Sequence, residues 1–430
     1  MPVTRRFFLK SAGLTLFGAG CVPSFMRRTA FALDTNGRRR KVLVAIFQRG
    51  AVDGLNMVIP FAEKDYFSMR PTIAIPEPQV HASNSAGPAA IDLDGFFALH
   101  PSLGQLKPLF DVRQLAIIHA VGSPSNTRSH FDAQDYMETA TPGVKSTREG
   151  WLNRYLAAKP EAEATPFRAV AVAPRMPRTL AGKASSLVVD EIRNFRLLGR
   201  PDPPAFAPAT PAAEELAFEE MYASSQDPLF SRAAAETFEA IRTLRRVGAD
   251  TYEPASGAQY PHGKLGQDLQ QVAQLIKADV GLEVAFSNAG GWDNHVNEGG
   301  VEGQMANNLK ALGDALAAFH TDLGDRMEDV VVLTMSEFGR TARENGNRGT
   351  DHGHGNAMFV LGGPVNGGKV YGEWPGLKPG QLNQDRDLAM TTDFRDVFAE
   401  IVVRHLGAHD TAAIFPGFSV APGRFRGFIA

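Results

Sequence analysis

Short apolar runs separated by helical patterns constrain the fold of this 430-residue chain more than any other feature. Each run has three to six residues, carries little charge and is bounded by polar or turn-forming residues, as is typical of a buried strand. The runs lie at residues 42–47, 115–120, 169–172, 187–189, 282–286, 330–334 and 358–361.

The clearest helical pattern precedes the run at 330–334. Its apolar residues recur at alternating spacings of three and four, at Leu309, Leu312, Leu316, Phe319 and Leu323. That spacing places them on one face of a helix that leads into the strand. Strands that alternate with helices predict an α/β fold, a mainly parallel sheet with helices on both faces.

A helical insertion is predicted in the middle of the chain. Residues 201–211 are rich in Pro and Ala and predict irregular structure, and the residues that follow, to about 278, read as two or three polar helices. We therefore predict one α/β domain over residues 33–430 with a helical insertion at about 201–280.

The N-terminus has the pattern of a twin-arginine signal peptide. Paired arginines at 5–6 precede a small-residue apolar stretch at 11–22, and Ala-Phe-Ala at 30–32 fits the rule for cleavage after small residues. We expect a signal peptide over residues 1–32 and a mature chain that begins near Leu33. The partner for export would be the twin-arginine machinery, and the protein would be periplasmic or secreted.

Cysteine usage limits the cofactors. Cys21 is the only cysteine, and lipid anchoring there is disfavoured because Gly18 stands where a lipoprotein signal prefers Leu. A mature chain without cysteine excludes disulfides, thiolate zinc sites, iron–sulfur clusters and c-type haem. The sequence also has no dinucleotide fingerprint, so no haem, flavin, iron–sulfur or nicotinamide cofactor is expected.

Charge and hydropathy limit the partners. The 44 basic and 47 acidic residues give a net charge of −3, and basic residues gather only at 38–41, so no nucleic acid partner is expected. No second apolar segment is long enough to predict a permanent membrane span.

The stretch 363–369 has the spacing of a P-loop, but Val370 stands where Ser or Thr would bind magnesium. We therefore predict a glycine-rich hairpin or loop there and no P-loop.

Polar clusters follow several of the predicted strands, and in an open α/β sheet ligands gather at the carboxyl ends of strands. After the first run, Asp53 either bonds its own backbone in a Gly-rich turn or binds a ligand. After the second run, Ser129 has the pattern of a helix N-cap, with Asp132 three residues later. The same hydroxyl would lie at the positive end of a helix dipole, which favours a bound phosphate or sulfate.

Carboxylates and imidazoles dominate the later clusters. Asp293 and His295 are two apart on a Gly-rich loop and could chelate one cation. Glu337 follows the run at 330–334, and His352 and His354 flank a glycine before the last run. Two histidines in that pattern are hard to explain as core residues, so a metal or anion role is predicted for at least one of them.

Five stretches of the chain together resemble the domain-of-unknown-function family numbered 1501, whose members are typically exported bacterial proteins. They are RGAVDGLN at 49–56, SHFDAQ at 129–134, GWDNH at 291–295, SEFGRT at 336–341 and DHGHG at 351–355. That family is similar in fold to the alkaline phosphatase and sulfatase superfamily. The resemblance therefore implies an alkaline-phosphatase-like α/β domain.

The resemblance also implies roles for individual residues. The nucleophile would be Thr127 or Ser129. The metal ligands would be Asp53, Asp293, His295, Glu337, His352 and His354. Where the superfamily has Asp-His, this chain has Glu337-Phe338 and lacks one imidazole of a two-metal site, and the Asp293-to-His295 spacing is shorter than in phosphatases. We expect Asp53, Asp293, His295, Glu337 and one or both of His352 and His354 to converge around one cavity at the strand ends.

The function that this resemblance implies is a metal-dependent hydrolase of phosphate or sulfate esters. A divalent ion (zinc, calcium, magnesium or manganese) would lower the pKa of a hydroxyl or a water. Arg49, Arg128 or Arg340 could clamp the anion, although each is equally explained as a salt-bridged surface residue. The alternative is a catalytically inactive relative that binds a glycan, an anionic small molecule or a protein partner.

Overall fold

A computed structural model describes residues 39–79, 87–160, 164–192, 228–246 and 252–430. The predicted signal peptide at 1–32, Cys21 and the Pro-rich stretch at 201–211 lie outside the described residues. Within them, no helix is both long and apolar enough to cross a bilayer.

The fold contains a central mixed sheet and a small antiparallel sheet. In chain order, the strands are β1 Val42–Gln48, β2 Val58–Ile59, β3 Ile91–Asp92, β4 Ala98–Leu99, β5 Leu115–Gly122, β6 Ala169–Val172, β7 Leu187–Val189, β8 Val284–Ala289, β9 Val330–Met335, β10 Asn356–Gly362, β11 Lys369–Tyr371 and β12 Thr392–Asp393. The central sheet has the order β11-β5-β10-β9-β1-β8-β6-β7, with β12 also paired to β5. β2, β4 and β3 form the small sheet. All seven predicted strands are present.

Strand direction departs from the expectation at one place. β1 pairs in parallel with β8 and β9, whereas β10 is antiparallel to both β9 and β5. The connection from β9 to β10 contains no helix, so the chain turns back at the same edge instead of crossing over the sheet. The sheet is therefore mixed but mostly parallel, and the start of β10 lies at the same edge as the carboxyl ends of β1, β5, β8 and β9.

Helices cover both faces of this sheet. They are α1 Gly54–Met57, α2 Lys64–Met69, α3 Lys107–Asp111, α4 His130–Thr139, α5 Trp151–Ala158, α6 Pro228–Arg246, α7 Lys264–Lys277, α8 Gln304–Leu323, α9 Phe394–Glu400 and α10 Thr411–Ile414. Short 3-10 helices occur at Pro101–Leu106, Pro166–Arg168, Arg178–Leu180, Gly324–Asp329 and Pro422–Arg424, and a π-helical turn at Ile401–His405.

The alternation of side chains along β1 shows the two-sided core. Val44 and Ile46 pack into one buried cluster with α7 and α8, while Ala45 and Phe47 pack into another with α5 and α9. The apolar face predicted for α8 is confirmed, since Leu309, Leu312, Leu316, Phe319 and Leu323 are all buried in the first cluster.

The predicted helical region contains α6 and α7. Leu269, Val272 and Ile276 of α7 are buried in the main core with α8, so this helix forms part of the sheet's covering layer. Residues 201–227 lie outside the described part of the chain, so the insertion stays a prediction.

Candidate metal centre

Three ligand-type side chains meet at the carboxyl edge of the central sheet. One ligand atom from each of His130, Asp293 and His352 lies within 4.8 Å of the other two. The Nε2 atoms of His130 and His352 are 2.9 Å apart. Asp293 Oδ1 lies 3.4 Å from the first nitrogen and 3.3 Å from the second. Donor atoms around one small cation have similar separations, because metal bonds of about 2 Å put neighbouring ligands roughly 3 Å apart.

His295 adds a third imidazole at the edge of this site, outside the three residues whose ligand atoms all lie within 4.8 Å of one another. Its Nε2 lies 2.9 Å from His352 Nε2 and 3.0 Å from Asp293 Oδ1. We call His130, Asp293, His295 and His352 the metal group. They come from the loops after β5 and β8 and from the loop before β10, so the antiparallel β10 is what brings His352 to the other three.

The partners of the Nδ1 atoms fix the tautomer of each imidazole. His130 Nδ1 lies 2.8 Å from Glu337 Oε1, and His295 Nδ1 lies 3.3 Å from Asp351 Oδ1. His352 Nδ1 lies 2.9 Å from the backbone carbonyl of Arg128. These three partners accept hydrogen bonds, so each Nδ1 carries a proton, and each Nε2 that is not itself protonated presents a lone pair.

The donor set fits a divalent metal ion. The lone pairs of neighbouring imidazole nitrogens and a carboxylate oxygen repel one another, and a bound cation or shared protons would offset that repulsion. Metal-binding histidines usually donate their other ring N–H to a carboxylate or a carbonyl, as all three do here. The site opens to solvent on the side of Asp293, whose side chain is 47 % exposed, compared with 22 % for His130.

Glu337 supports the metal group from behind. Its buried Oε1 accepts hydrogen bonds from His130 Nδ1, from Gln134 Nε2 at 2.8 Å and from Gly50 N at 2.9 Å. Burial alone would raise the pKa of Glu337, but these hydrogen bonds outweigh it and lower the pKa. Glu337, which the sequence predicted as a metal ligand, therefore contacts the Nδ1 atom of the candidate ligand His130. The same hydrogen bond raises the pKa of His130.

Arg340 ties the loops of the site together. It is 1 % exposed, and its guanidinium donates to Asp293 Oδ1 at 2.7 Å. Partial burial would raise the pKa of Asp293, but Arg340 outweighs it and lowers that pKa to about 2. The remaining donors of Arg340 bond the backbone carbonyls of Gly50, Ala51, Trp292 and Thr350. The hydrogen bonds of Arg340 therefore go to backbone carbonyls of these loops and to Asp293.

Two glycines allow these loops to approach. Gly50 has a φ of +114°, and a Cβ there would lie 2.8 Å from the backbone nitrogen of Asp293. A Cβ on Gly353 would lie 2.3 Å from the carbonyl carbon of Arg340. Glycine is needed at both positions because a side chain would prevent the close contact between the two backbones.

Asp53 lies outside the metal group. It forms a buried ion pair with Arg70, in which Arg70 Nη1 bonds Asp53 Oδ2 and Arg70 Nη2 lies 3.1 Å from Oδ1. The side chains of Asp53 and Arg70 are 2 % and 0 % exposed. Asp53 Oδ1 also accepts from Leu55 N and caps α1, as the turn interpretation of this motif predicted.

His354 and Phe338 have different positions from His352. His354 is 7 % exposed and is not among the described residues whose ligand atoms converge. Burial lowers the pKa of His354. Phe338 packs against the rings of His130 and His352 at centroid distances of 4.9 and 5.1 Å.

The predicted nucleophiles lie just before His130 in the chain. Ser129 is exposed, precedes His130 and caps α4 through a long contact of 3.5 Å from Asp132 N to its Oγ. Thr127 Oγ1 accepts from Ser129 N at 3.3 Å. The N-cap prediction for Ser129 is thereby confirmed.

Like Arg340, the other two predicted anion clamps have protein partners. Arg49 donates to Asn288, Gln134 and Glu138. Arg128 donates to Asp387 at 2.6 Å while its carbonyl accepts from His352 Nδ1. Both guanidiniums thus help to hold the loops of the site in place, and Arg128 does so beside the candidate ligand His352.

Sequence reasoning missed His130 as a ligand. Its neighbour Ser129 satisfied the N-cap pattern, so the motif was explained without the imidazole. The available signal was the position of His130 at the first residue of a helix that follows a strand, at the same edge as the other clusters.

The family model described as "Protein of unknown function (DUF1501)" matches residues 40–414. The chain belongs to the DUF1501 family. All four residues of the metal group in this DUF1501 protein lie inside the matched region. No curated protein and no solved structure matches the chain.

Proposed function

We propose that this DUF1501 protein is an exported hydrolase of phosphate or sulfate esters that depends on one divalent transition metal. The observation that supports it is the metal group, in which ligand atoms of three residues lie within 4.8 Å of one another and His295 Nε2 lies beside them. The site is at the edge of the sheet where ligands of α/β folds gather.

Ligand chemistry narrows the choice of metal. Calcium and magnesium prefer oxygen ligands, whereas imidazole suits zinc and other transition metals. Of the four ions that the sequence left open, zinc is the first choice and manganese the second. Arg70 already neutralises Asp53, so the proposal needs one metal ion.

The residues around the metal group have distinct tasks in this proposal. The metal would polarise the ester and lower the pKa of an adjacent hydroxyl or water. Ser129 offers an exposed hydroxyl next to His130 and is the preferred nucleophile over Thr127. Glu337 and Asp351 hold the imidazoles in the tautomer that leaves Nε2 free. Arg340 keeps Asp293 ionised.

Hydrolysis assays with defined metal content test this function. Mature protein is stripped with a chelator, reloaded with zinc and assayed on a panel of aryl and alkyl phosphate and sulfate esters. We expect turnover only in the loaded protein, and Ser129→Ala should retain zinc but lose turnover. Loaded protein that hydrolyses none of these esters, or stripped protein that is equally active, would refute the proposal.

A catalytically inactive binding protein is the second candidate. It is favoured by the buried ion pair of Asp53 with Arg70 and by Phe338, because both remove parts of the superfamily's two-metal site. Calorimetric binding of phosphate or sulfate by zinc-loaded protein without turnover of any ester would select this candidate.

Export by the twin-arginine pathway is part of the proposal and rests on the paired arginines at 5–6. Replacing both by lysine keeps the charge and should leave the protein in the cytoplasm, as measured by cell fractionation. An Arg38→Lys, Arg39→Lys variant is the matched control. Unchanged export of the 5–6 variant would contradict this pathway.

A further inference from the structure

Asp387 pairs with two arginines that both contact His352. It belongs to the segment between β11 and β12, and its side chain is 0 % exposed. Arg128 Nη2 donates to Asp387 Oδ2 at 2.6 Å, and Arg386 Nη1 forms an ion pair with Oδ1 at 3.3 Å. One buried carboxylate therefore links two guanidiniums from distant parts of the chain.

Each arginine residue contacts a different atom of His352. The backbone carbonyl of Arg128 lies 2.9 Å from His352 Nδ1 and accepts its hydrogen bond. Arg386 Nη1 donates to the backbone carbonyl of His352 at 3.0 Å. The first contact orients the imidazole and the second holds the main chain that carries it. Asp387 is thus connected to His352 by two separate paths.

The backbone holds the turn that carries Asp387. Asp387 and Thr341 form an isolated antiparallel bridge, and the carbonyl of Arg386 accepts from Ala342 N at 3.1 Å. These main-chain contacts leave the side chain of Asp387 for the arginines. A buried carboxylate is unfavourable unless it is paired, and the two cations that pair with this one are the two that contact His352.

We infer that Asp387 is a positioning residue for the metal, which holds Arg128 and Arg386 so that His352 keeps its place and its ring orientation. Groups behind a metal ligand that fix its orientation raise the affinity for the ion. Asp387 acts on the metal only through His352. The inference rests on the metal ion of the proposed function and adds a residue outside the metal group.

The zinc affinity of Asp387→Asn tests the inference. The neutral amide pairs more weakly with both arginines, so zinc binding should weaken by about three- to tenfold, less than the roughly 10- to 100-fold typical of groups that bond a ligand directly. Competition with a fluorescent zinc chelator measures the affinity without any need for turnover.

Asp322→Asn is the matched control. The Asp322 side chain is also 0 % exposed, and it pairs with Lys277 between α7 and α8. This variant should lose stability, as measured by urea denaturation, but keep the zinc affinity of wild-type protein. An equal loss of zinc affinity in Asp322→Asn and Asp387→Asn would overturn the inference, because any weakened buried pair would then have the same effect.

The His352→Ala background separates positioning from a change of charge. If Asp387 acts through His352, adding Asp387→Asn to His352→Ala should lower the zinc affinity no further, since two changes along one path are not additive. If Asp387→Asn weakens zinc binding equally with and without His352, the inference is overturned.

Arg386→Ala covers the case in which Asp387→Asn does not fold. It removes the hydrogen bond to the His352 carbonyl and one partner of Asp387, and it should weaken zinc binding by a similar factor. Wild-type zinc affinity in the folded variant would overturn the inference and leave the metal group and the ester proposal standing. If wild-type protein binds no zinc, the metal group fails and the inference fails with it.

Discussion

Two carboxylates at the same edge of the sheet have opposite surroundings. Asp53 follows β1 and Asp293 follows β8, and these strands are hydrogen-bonded neighbours. Asp53 is buried and faces the donors of Arg70, which are also bonded to Asn56 Oδ1 and to the carbonyls of Thr341 and Ala342. Asp293 is half exposed, and its Oδ1 accepts a hydrogen bond from Arg340 and also lies within 3.4 Å of three imidazole nitrogens.

The difference shows what makes a carboxylate a candidate ligand. Where neighbouring groups supply donors, the carboxylate's charge is compensated by the chain and the group becomes structural. Where a carboxylate also lies among several imidazole nitrogens at a solvent-facing edge, as Asp293 does beside Arg340, it is a candidate ligand for a cation from outside the chain. Asp53 with Arg70 is the first case and the metal group is the second.

The largest expected effect is loss of metal from His352→Ala. Removal of a central ligand should weaken zinc binding by more than about 100-fold, since removal of supporting residues alone typically costs 10- to 100-fold. His354→Ala is the matched control and should keep stoichiometric zinc, as measured by mass spectrometry after dialysis. Equal zinc content in the two variants would remove the distinction between these histidines.

Arg70→Ala should have the largest effect on stability. It leaves Asp53 buried without its cation, which costs about 3–5 kcal/mol in the free energy of unfolding. Lys107→Ala, which removes the exposed pair with Asp111, should cost below about 0.5 kcal/mol. Urea denaturation measures both.

The milder variant Asp53→Asn covers the case in which Arg70→Ala does not fold. It should also lower stability but retain full zinc content, because Asp53 lies outside the metal group. Loss of zinc from Asp53→Asn would show that Asp53 is a metal ligand and would contradict the difference between Asp53 and Asp293.

Glu337→Gln should have an intermediate effect on metal affinity. The neutral amide accepts the His130 Nδ1 hydrogen bond less strongly, so zinc affinity should fall by about tenfold. Glu138→Gln alters a buried carboxylate that bonds Arg49 and Thr179 instead, and should leave affinity unchanged. Competition with a chromogenic chelator measures the zinc affinity of both variants. An unchanged affinity in Glu337→Gln would show that Glu337 does not support zinc binding.

The smallest effect concerns pH. Glu298 is buried beside Asp53, with Arg70 as the nearby cation and Tyr66 and the Thr350 hydroxyl around it. Burial, followed by the charge of Asp53, raises the pKa of Glu298 well above its ordinary value. The folded state therefore holds a proton that the unfolded state releases, so its stability falls as pH rises from near the ordinary pKa of a glutamate through the raised one.

Glu298→Gln cannot ionise and should flatten this dependence. One proton changes the free energy of unfolding by at most about 1.4 kcal/mol per pH unit. Urea midpoints from pH 5 to pH 9 compare the two proteins. Identical slopes would show that Glu298 does not hold the proton.

The helices and strands could be predicted from the sequence better than the pairing of the strands could. The strands and the apolar face of α8 follow from local periodicity, which a linear sequence records directly. The direction of β10 does not, since a buried strand has the same apolar pattern in either direction. Clustering of Asp293, His295 and His352 was predictable because strand ends share an edge.

The roles of Asp53 and His130 depended on tertiary contacts. Nothing in the sequence links Asp53 to Arg70, 17 residues away, and an isolated Arg reads as a surface residue. His130 was hidden behind the capping pattern of Ser129. In both cases the side chain's partner decided its role, and partners are set by the fold.

Anomalous diffraction from zinc-loaded crystals shows where the metal ion binds. Data collected on both sides of the zinc absorption edge locate the ion independently of any assumption about its ligands. We expect one strong peak about 2 Å from the Nε2 atoms of His130 and His352 and from Asp293 Oδ1. A peak beside Asp53, or none at the metal group in zinc-loaded protein, would contradict it.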